Sequence, residues 1–123
     1  MTRCEFRKAT AQDALEFYGK PPCNSFRGIV AVEDGKVIGI GGLFYEGKNL
    51  VAFSDMKPEM RKHRKDMARS CRMLIDMVRE AKRPVYAVAD PNEPTSPYLL
   101  AKLGFEPTGM FGPSGEILKW KEK

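Results

Sequence analysis

The sequence has no apolar run long enough to cross a membrane. A spanning helix needs about 20 consecutive apolar residues, and no segment of the chain approaches that length. The opening residues Met1-Thr2-Arg3-Cys4-Glu5 also lack the apolar core of a secretory signal. With 42% hydrophobic and 30% charged residues, the chain is expected to be a soluble cytoplasmic protein that does not associate with membranes.

Residues that commonly bind metals are scarce. The chain contains one histidine, His63, and three widely separated cysteines, Cys4, Cys23 and Cys71. Structural zinc sites usually show their ligands in pairs at short spacing, and a disulfide framework needs an even number of cysteines. We therefore predict no metal site and no disulfide framework, and we expect a reducing compartment.

Repeats and low-complexity tracts are also absent. The chain of 123 residues suffices for one hydrophobic core but not for two, so we predict a single domain over residues 1–123. The net charge of +5 would suit any polyanion. A nucleic-acid binder would use Lys62, Lys65, Arg69 and Arg72, but no aromatic residues suited to base stacking are interleaved with them. Nucleic acid is therefore not a favoured partner.

Short-range signals predict a β-hairpin in the first half of the chain. Asp34-Gly35 is a two-residue turn whose positions both accept positive φ, and apolar segments flank it at residues 28–33 and 36–45. Gly39, Gly41 and Gly42 weaken the second strand unless a neighbour packs close to its backbone or the strand bulges.

A long amphipathic helix is predicted over residues 58–82. Pro58 suits the first turn of a helix. Apolar residues then recur at helical spacing, at Met60, Met67, Cys71, Leu74, Val78 and Ala81. The first turns are basic, with Arg61, Lys62, Arg64 and Lys65. Because a helix N-terminus disfavours cations unless an anion is present, a bound phosphate group is the simplest explanation.

The remaining segments complete a mixed α/β order. Apolar runs predict strands near residues 4–9, 50–55, 84–90, 106–111 and 116–120, and capping signals predict helices over residues 11–18 and 96–103. Because a helix joins the strands at 50–55 and 84–90, these two should pair in parallel through a right-handed crossover. The predicted order is β-α-βββ-α-β-α-ββ, an α/β fold with one mixed sheet and helices on both faces.

Two motifs resemble the GNAT superfamily of N-acetyltransferases. Pro58-Glu59-Met60-Arg61, between an apolar strand and a long helix, is similar to the turn in which that superfamily holds the pyrophosphate of acyl-CoA. Residues 96–105, ending in Leu103-Gly104-Phe105, resemble a later helix of the superfamily. The resemblance implies a GNAT-like acyl-CoA-binding domain, acetyl-CoA as the cofactor, and transfer of its acetyl group to a primary amine.

The resemblance also implies which residues bind acetyl-CoA. Backbone groups of residues 61–66 would lie near the pyrophosphate, with Arg61 or Arg64 assisting. The implied cofactor-binding residues are Met56, Arg61, Lys62, His63, Arg64, Lys65 and Asp66. His63 also lies on the apolar stripe of the helix, so a partly buried, hydrogen-bonded imidazole is as well supported as a cofactor contact.

Acyl transfer to an amine needs few protein groups. The amine must lose a proton, the oxyanion needs a hydrogen-bond donor, and the thiolate can be protonated as it leaves. In the resembling family the thioester lies where the strand before the long helix diverges from the strand after it, here residues 50–56 and 85–90. Asp55 is the candidate base nearer this cleft and Glu46 the more distant one. Asp55 could instead cap or pair with the basic start of the helix.

The candidate acid is Tyr98, which lies two residues before the position where many GNAT members have a tyrosine. Leu100 occupies that position here, and two residues on a helix turn a side chain about 200° away. A surface tyrosine is the alternative interpretation of Tyr98.

Other residues depart from the family pattern. Lys62, Arg64 and Asp66 stand where the pyrophosphate loop usually has small residues. The basic run 61–65, together with residues 69–74, resembles a small, divergent, phage-encoded subgroup, some of whose members are named as internal virion proteins. These departures support an alternative function, a catalytically inactive GNAT-like phage structural or host-interaction protein located in the virion.

Overall fold

The computed structural model describes residues 4–22, 24–88, 96–113 and 115–121, with the side chains of residues 96–99 left out. In chain order the elements are β1 (Glu5–Lys8), α1 (Ala11–Tyr18), β2 (Phe26–Glu33), β3 (Lys36–Glu46), β4 (Asn49–Met56), a 3₁₀ helix (Pro58–Lys62), α2 (Arg64–Ala81), β5 (Val85–Val88), α3 (Ser96–Leu103), β6 (Phe105–Gly112) and β7 (Gly115–Trp120). This order confirms the predicted mixed α/β fold. None of the helices in these described ranges is long and apolar enough to cross a lipid bilayer.

In the described part of the chain, seven strands form one sheet in the order β1-β2-β3-β4-β5-β7-β6. Neighbouring strands are antiparallel except β4 and β5, which pair in parallel. The parallel pair was expected, because α2 carries the chain from the end of β4 back to the start of β5. The predicted junction reached residue 90, but residues 89 and 90 lie outside the described part of the chain.

The predicted hairpin between β2 and β3 is confirmed. Asp34 and Gly35 both have positive φ, at 51° and 78°, as a turn with two left-handed residues requires. Two separate features of β3 account for its glycines, a close approach of two backbones and a β-bulge. A Cβ on Gly42 would lie 2.0 Å from the carbonyl oxygen of Arg27 on β2, so the backbones approach too closely for a side chain. The register also shifts where Ala31 and Val32 face Gly39 and Val37, which bulges β3 by one residue.

Helices cover the two faces of the sheet unequally. The face covered by α2 and α3 is here called the α2 face. Among the described residues its core contains nine that are buried, Leu43, Leu50, Ala52, Leu74, Val78, Val85, Ala87, Phe105 and Leu118. The face covered by α1, here the α1 face, has a core of five, Ala14, Val30, Val32, Val37 and Ile40. A further cluster of Cys4, Ala31, Ile38 and Met60 lies beside the 3₁₀ helix. The prediction of helices on both faces is confirmed.

Polar contacts fix both ends of α1. The Thr10 side chain accepts a hydrogen bond from the backbone N–H of Asp13, and the Asp13 carboxylate accepts one from the backbone N–H of Thr10. This reciprocal pair is a capping box. Asp13 also accepts two hydrogen bonds from the Arg7 guanidinium, at 2.6 and 2.8 Å. Gly19 ends the helix in a left-handed conformation with φ 76°, the usual role of glycine there.

The long helix differs from its prediction at the start. Residues 58–62 form a 3₁₀ helix. His63 then interrupts the helical conformation, with φ −110° and ψ 57°, and α2 begins after it. The tighter turn places the Met60 side chain in the core, where it is 2% exposed, and the His63 backbone N–H bonds the Met60 carbonyl at 3.0 Å. The prediction of one continuous α-helix from residue 58 was therefore wrong in detail. Burial of Met60 and His63 favours the tighter turn over residues 58–62.

Candidate functional site at the β4–β5 cleft

The sheet opens between β4 and β5. Within the described residues these strands pair at only two positions, Leu50 with Val85 and Val51 with Tyr86. The next residues of β5 instead pair only with β7, Ala87 with Leu118 and Val88 with Ile117. The second half of β4 therefore separates from β5 on its way to the 3₁₀ helix and α2. The predicted cleft lies at this separation.

The first turn of α2 lies at the same end of β4. The first helical bond of α2 runs from the N–H of Met67 to the carbonyl of His63, so the N–H groups of Arg64, Lys65 and Asp66 precede the helical ladder. Among the described residues the His63 side chain makes no capping bond to them. Arg61, Arg64 and Lys65 have exposed side chains around this turn. Free N–H groups surrounded by cations form an environment suited to an anion.

Three of the residues predicted to bind the cofactor have side chains that turn toward β1 and β2 instead. Lys62 Nζ lies 3.1 Å from Glu33 Oε1, and His63 Nε2 makes a short contact with the other Glu33 oxygen. Asp66 accepts a hydrogen bond from the backbone N–H of Cys4 at 3.3 Å. Through these contacts the start of α2 is held against the two strands.

These contacts have electrostatic consequences. The hydrogen bond from His63, followed by that from Lys62, lowers the pKa of the Glu33 carboxyl. Burial, followed by the nearby Asp66 and Glu33 carboxylates, raises the pKa of the Cys4 thiol. Met56, the remaining predicted cofactor residue, packs against the cluster that contains Cys4 and Met60. The His63 side chain is 7% exposed, so it takes part in a buried polar contact.

An apolar cavity of about 430 Å³ lies on the α1 face. Most of its wall consists of side chains from the sheet and from the segment after α1, including Ile40, Phe44, Phe53, Phe26, Pro21 and Pro22. Asp55 and Tyr18 are among its few polar lining residues. Cavities of this size with a small number of polar groups are typical small-molecule sites. Because Asp55 is the penultimate residue of β4, the cavity borders the end of β4 that separates from β5.

The Tyr18 hydroxyl donates a short hydrogen bond to Asp55 Oδ2. Burial, followed by this hydrogen bond, raises the pKa of Tyr18, so the hydroxyl is protonated at neutral pH and acts as a donor. Within the described part of the chain, Asp55 neither caps the 3₁₀ helix or α2 nor pairs with their cations. The alternative role considered for Asp55 is therefore wrong, and its actual partner is a tyrosine on α1.

The other candidate catalytic residues lie elsewhere or outside the description. Glu46 is exposed at the far end of β3, opposite Asn49. Tyr98 lies in α3, but its side chain is outside the described residues. Leu100 packs against the core of the α2 face. Sequence reasoning missed Tyr18; the one available signal was its position four residues after Ala14, on the helix face that packs on the sheet.

Comparison with known proteins supports the fold. Neither models of protein families nor curated proteins match the chain. Among solved structures, a protein from Klebsiella pneumoniae to which acyl-CoA N-acyltransferase activity is attributed matches with a TM-score of 0.66 and 11% identity, over 95% of this chain and 96% of that one. The ribosomal-protein-S18-alanine N-acetyltransferase of Escherichia coli gives 0.65 and 12%, over 95% and 92%.

A third structure is the PaiA N-acetyltransferase of Thermoplasma acidophilum in complex with coenzyme A. It matches with a TM-score of 0.62 and 15% identity, over 90% of this chain and 68% of that one. At sequence identities this low, structural similarity shows a shared fold but does not show a shared activity. The chain has the fold of the GNAT superfamily, as the two sequence motifs suggested.

Proposed function

We propose that the protein is an acetyl-CoA-dependent N-acetyltransferase acting on a primary amine, and that residues 1–123 form one acyl-CoA-binding domain. The observation that carries this proposal is the separation of β4 from β5 beside the free N–H groups of α2. A structure with the same fold was solved with coenzyme A. When bound, acetyl-CoA supplies an activated acetyl group as a thioester.

The first turn of α2 fits a pyrophosphate. Backbone N–H groups of residues 64–66 would donate to its oxygens, and the exposed Arg61 and Arg64 would add charge-assisted contacts. The side chains of Lys62 and Asp66, which replace small residues of the family pattern, turn toward Glu33 and Cys4. Their size therefore does not obstruct the turn, which supports cofactor binding despite the unusual sequence.

Asp55 is the proposed base. Its exposed carboxylate lines the cavity on the α1 face, where it would accept a proton from the amine directly or through a water molecule. Tyr18 would hold the carboxylate in place through its hydrogen bond. The aromatic wall of Phe26, Phe44 and Phe53 would contact the apolar part of an amine substrate. Tyr98 stays the predicted proton donor to the thiolate.

Cofactor binding can be tested by calorimetry with acetyl-CoA, CoA and ADP. Arg64→Ala should weaken acetyl-CoA binding about 10- to 100-fold, because a charge-assisted contact contributes about 1.5–3 kcal/mol. Arg72→Ala is a matched control, since Arg72 is an exposed arginine two turns further along α2. If both variants bind like the wild type, Arg64 is not part of the site, and if the wild type binds none of the three ligands, the proposed function is rejected.

Turnover is tested by release of free CoA with a panel of amines, peptides and lysate proteins between pH 6 and 9. Asp55→Asn should lower the rate about 100-fold, within the usual range for loss of a general base. Glu46→Gln is the control, because Glu46 is exposed and lies at the far end of β3. Tight acetyl-CoA binding without acceleration by any acceptor would favour a non-catalytic protein.

That second candidate is a GNAT-like phage structural or host-interaction protein. Two observations favour it. Leu100 packs against the core and has no proton to donate at the position where many GNAT enzymes have a tyrosine. Phe111 and Met110 on β6 are 74% and 57% exposed, as residues of a protein-binding surface often are. The CoA-release assay separates the two candidates.

A further inference from the structure

The fold brings together three residues that can ligate a metal. The Sγ of Cys4, a ring nitrogen of His63 and a carboxylate oxygen of Asp66 lie within 4.8 Å of one another. Cys4 and His63 are 5% and 8% exposed. Their side chains have no part in the proposed acetyl transfer. We propose that Cys4, His63 and Asp66 bind a zinc ion that joins the start of α2 to the segment before β1.

The orientation of the imidazole supports a cation at this position. Nε2 of His63 contacts the Glu33 carboxylate, and Nδ1 is directed at Asp66, 3.8 Å from Oδ2. If Nε2 carries the proton of a neutral imidazole, Nδ1 presents a lone pair to a carboxylate oxygen. Two acceptors facing each other need either a second proton on the imidazole or a metal cation between them, and the metal titration below distinguishes the two. Metal-bound histidines usually donate their other ring N–H to a carboxylate, and Glu33 is placed to be that acceptor.

The set of ligands and the charge both suit zinc. Zn²⁺ accepts thiolate, imidazole and carboxylate ligands in a tetrahedral arrangement. One thiolate and one carboxylate neutralise its two positive charges, while Lys62 pairs with Glu33 behind the imidazole. On binding, the Cys4 thiol releases its proton to solvent as the zinc–sulfur bond forms. A water molecule completes the fourth position.

The ligand atoms would have to move only a short distance toward one another to bind zinc. Zinc–ligand distances of about 2.0 to 2.3 Å place tetrahedral ligand atoms about 3.5 Å apart, so the most distant pair must approach by about 1 Å. Cys4 lies immediately before the first residue of β1. Its movement would leave the pairing of β1 with β2, which begins at Glu5 and Val32, unchanged. On zinc binding the thiol would exchange its contact with Met60 Sδ, 3.9 Å away, for the metal.

Cobalt titration of the full-length protein, freed of metal with a chelator and kept reduced, tests this site. One equivalent of Co²⁺ should produce a thiolate-to-cobalt charge-transfer band and the intense visible bands of tetrahedral cobalt, and Zn²⁺ should abolish both. Cys4→Ser should remove the charge-transfer band. Cys71→Ser is the matched control and should retain it, because Cys71 lies on α2 outside the cluster.

A second variant keeps the proposal testable if Cys4→Ser does not fold. Asp66→Asn preserves shape and removes the charged ligand, and it should weaken zinc binding at least about tenfold in competition with a chromogenic chelator. Zinc should also raise the Tm of the wild type more than that of either variant. Absence of a thiolate band in the wild type, or zinc affinity unchanged by Asp66→Asn, would reject the site. Neither measurement involves acetyl-CoA, so both are independent of the proposed function.

Discussion

The two faces of the sheet are covered to different extents. On the α2 face, an 18-residue helix and α3 enclose nine buried residues, and the large side chains Phe105 and Leu118 are 1% and 2% exposed. On the α1 face, one helix of eight residues encloses five of the described residues, and none of these five is aromatic. Three phenylalanines of this face, Phe26, Phe44 and Phe53, instead line a cavity of about 430 Å³. One face therefore supplies most of the apolar burial, and the other provides room for a ligand.

The same difference appears in how the helices are held. Leu74 and Val78 attach α2 by apolar burial, whereas the buried residues of α1 are Asp13 and Ala14. Polar contacts hold α1 at both ends, through Arg7 and Thr10 at its start and through Tyr18 and Asp55 near its end. A helix attached mainly by directional polar bonds can position a functional carboxylate while leaving the adjacent space open.

The largest expected difference between the two faces is in the unfolding free energy lost when a large side chain is replaced by alanine. Leu118→Ala removes a fully buried side chain from the α2 face and should cost about 2–5 kcal/mol of unfolding free energy. Phe44→Ala removes a partly buried side chain from the cavity wall. It should cost about 1 kcal/mol, because the space it leaves joins a cavity already open to solvent. Urea unfolding measures both values, and equal losses would contradict the comparison.

The polar attachment of α1 predicts a pH dependence of stability. Hydrogen bonds from Arg7, opposed by burial and assisted by Thr10, lower the pKa of Asp13 from 3.8 to about 2. A lowered folded-state pKa means that the stabilisation is complete above about pH 5 and is lost as the pH falls toward 2. At about 1.4 kcal/mol per unit, with allowance for the half-exposed Arg7, the loss is about 2 kcal/mol.

The test compares the wild type with Asp13→Asn by urea unfolding across pH 2 to 7. Other carboxylates titrate in the same range, so the informative quantity is the difference between the two proteins. The wild type should be more stable at pH 7, and the difference should shrink as Asp13 protonates. A difference independent of pH would show that the Asp13 charge does not stabilise α1.

Local features of the fold were predictable from the sequence. The turn at Asp34-Gly35 and the capping signals that bound α1 each depend on a few adjacent residues, and each is present as predicted. Backbone preference and short-range hydrogen bonds determine these features. The parallel pairing of β4 with β5 followed from chain connectivity alone.

The contacts that form the candidate sites were not predictable in the same way. Tyr18 and Asp55 are 37 residues apart in the chain, and Cys4 and Asp66 are 62 apart. Such contacts depend on strand register and on the direction of each side chain, and neither follows from spacing. Metal ligands sought at short spacing therefore leave out Cys4, although the sheet places it beside His63. The turn at residues 58–62 was missed because periodicity does not distinguish a 3₁₀ turn followed by a helix from one continuous helix.

Tyr18→Phe tests whether the polar attachment of α1 positions Asp55. The variant keeps the aromatic ring and removes the hydroxyl that donates to Asp55. We expect the KM for the amine to rise several-fold with kcat within about threefold, and stability to fall by about 1 kcal/mol. Tyr45→Phe is the control, since Tyr45 is an exposed tyrosine on β3. A fall in kcat as large as that of Asp55→Asn would instead give Tyr18 a direct part in proton transfer.

Leu100→Tyr should have the smallest effect on turnover and tests whether the covered α2 face contributes to catalysis at all. Leu100 packs against the core of that face, so the larger ring should cost about 1–3 kcal/mol of stability. Acetyl-CoA affinity should stay within about twofold, and CoA release should be unchanged or modestly faster, because a thiolate can leave without being protonated. Leu100→Phe adds a ring of similar size without a hydroxyl and separates packing from proton donation. A rate at least tenfold higher for Leu100→Tyr than for Leu100→Phe would mean that proton donation limits turnover, and that the α2 face takes part in the chemistry as well as in stability.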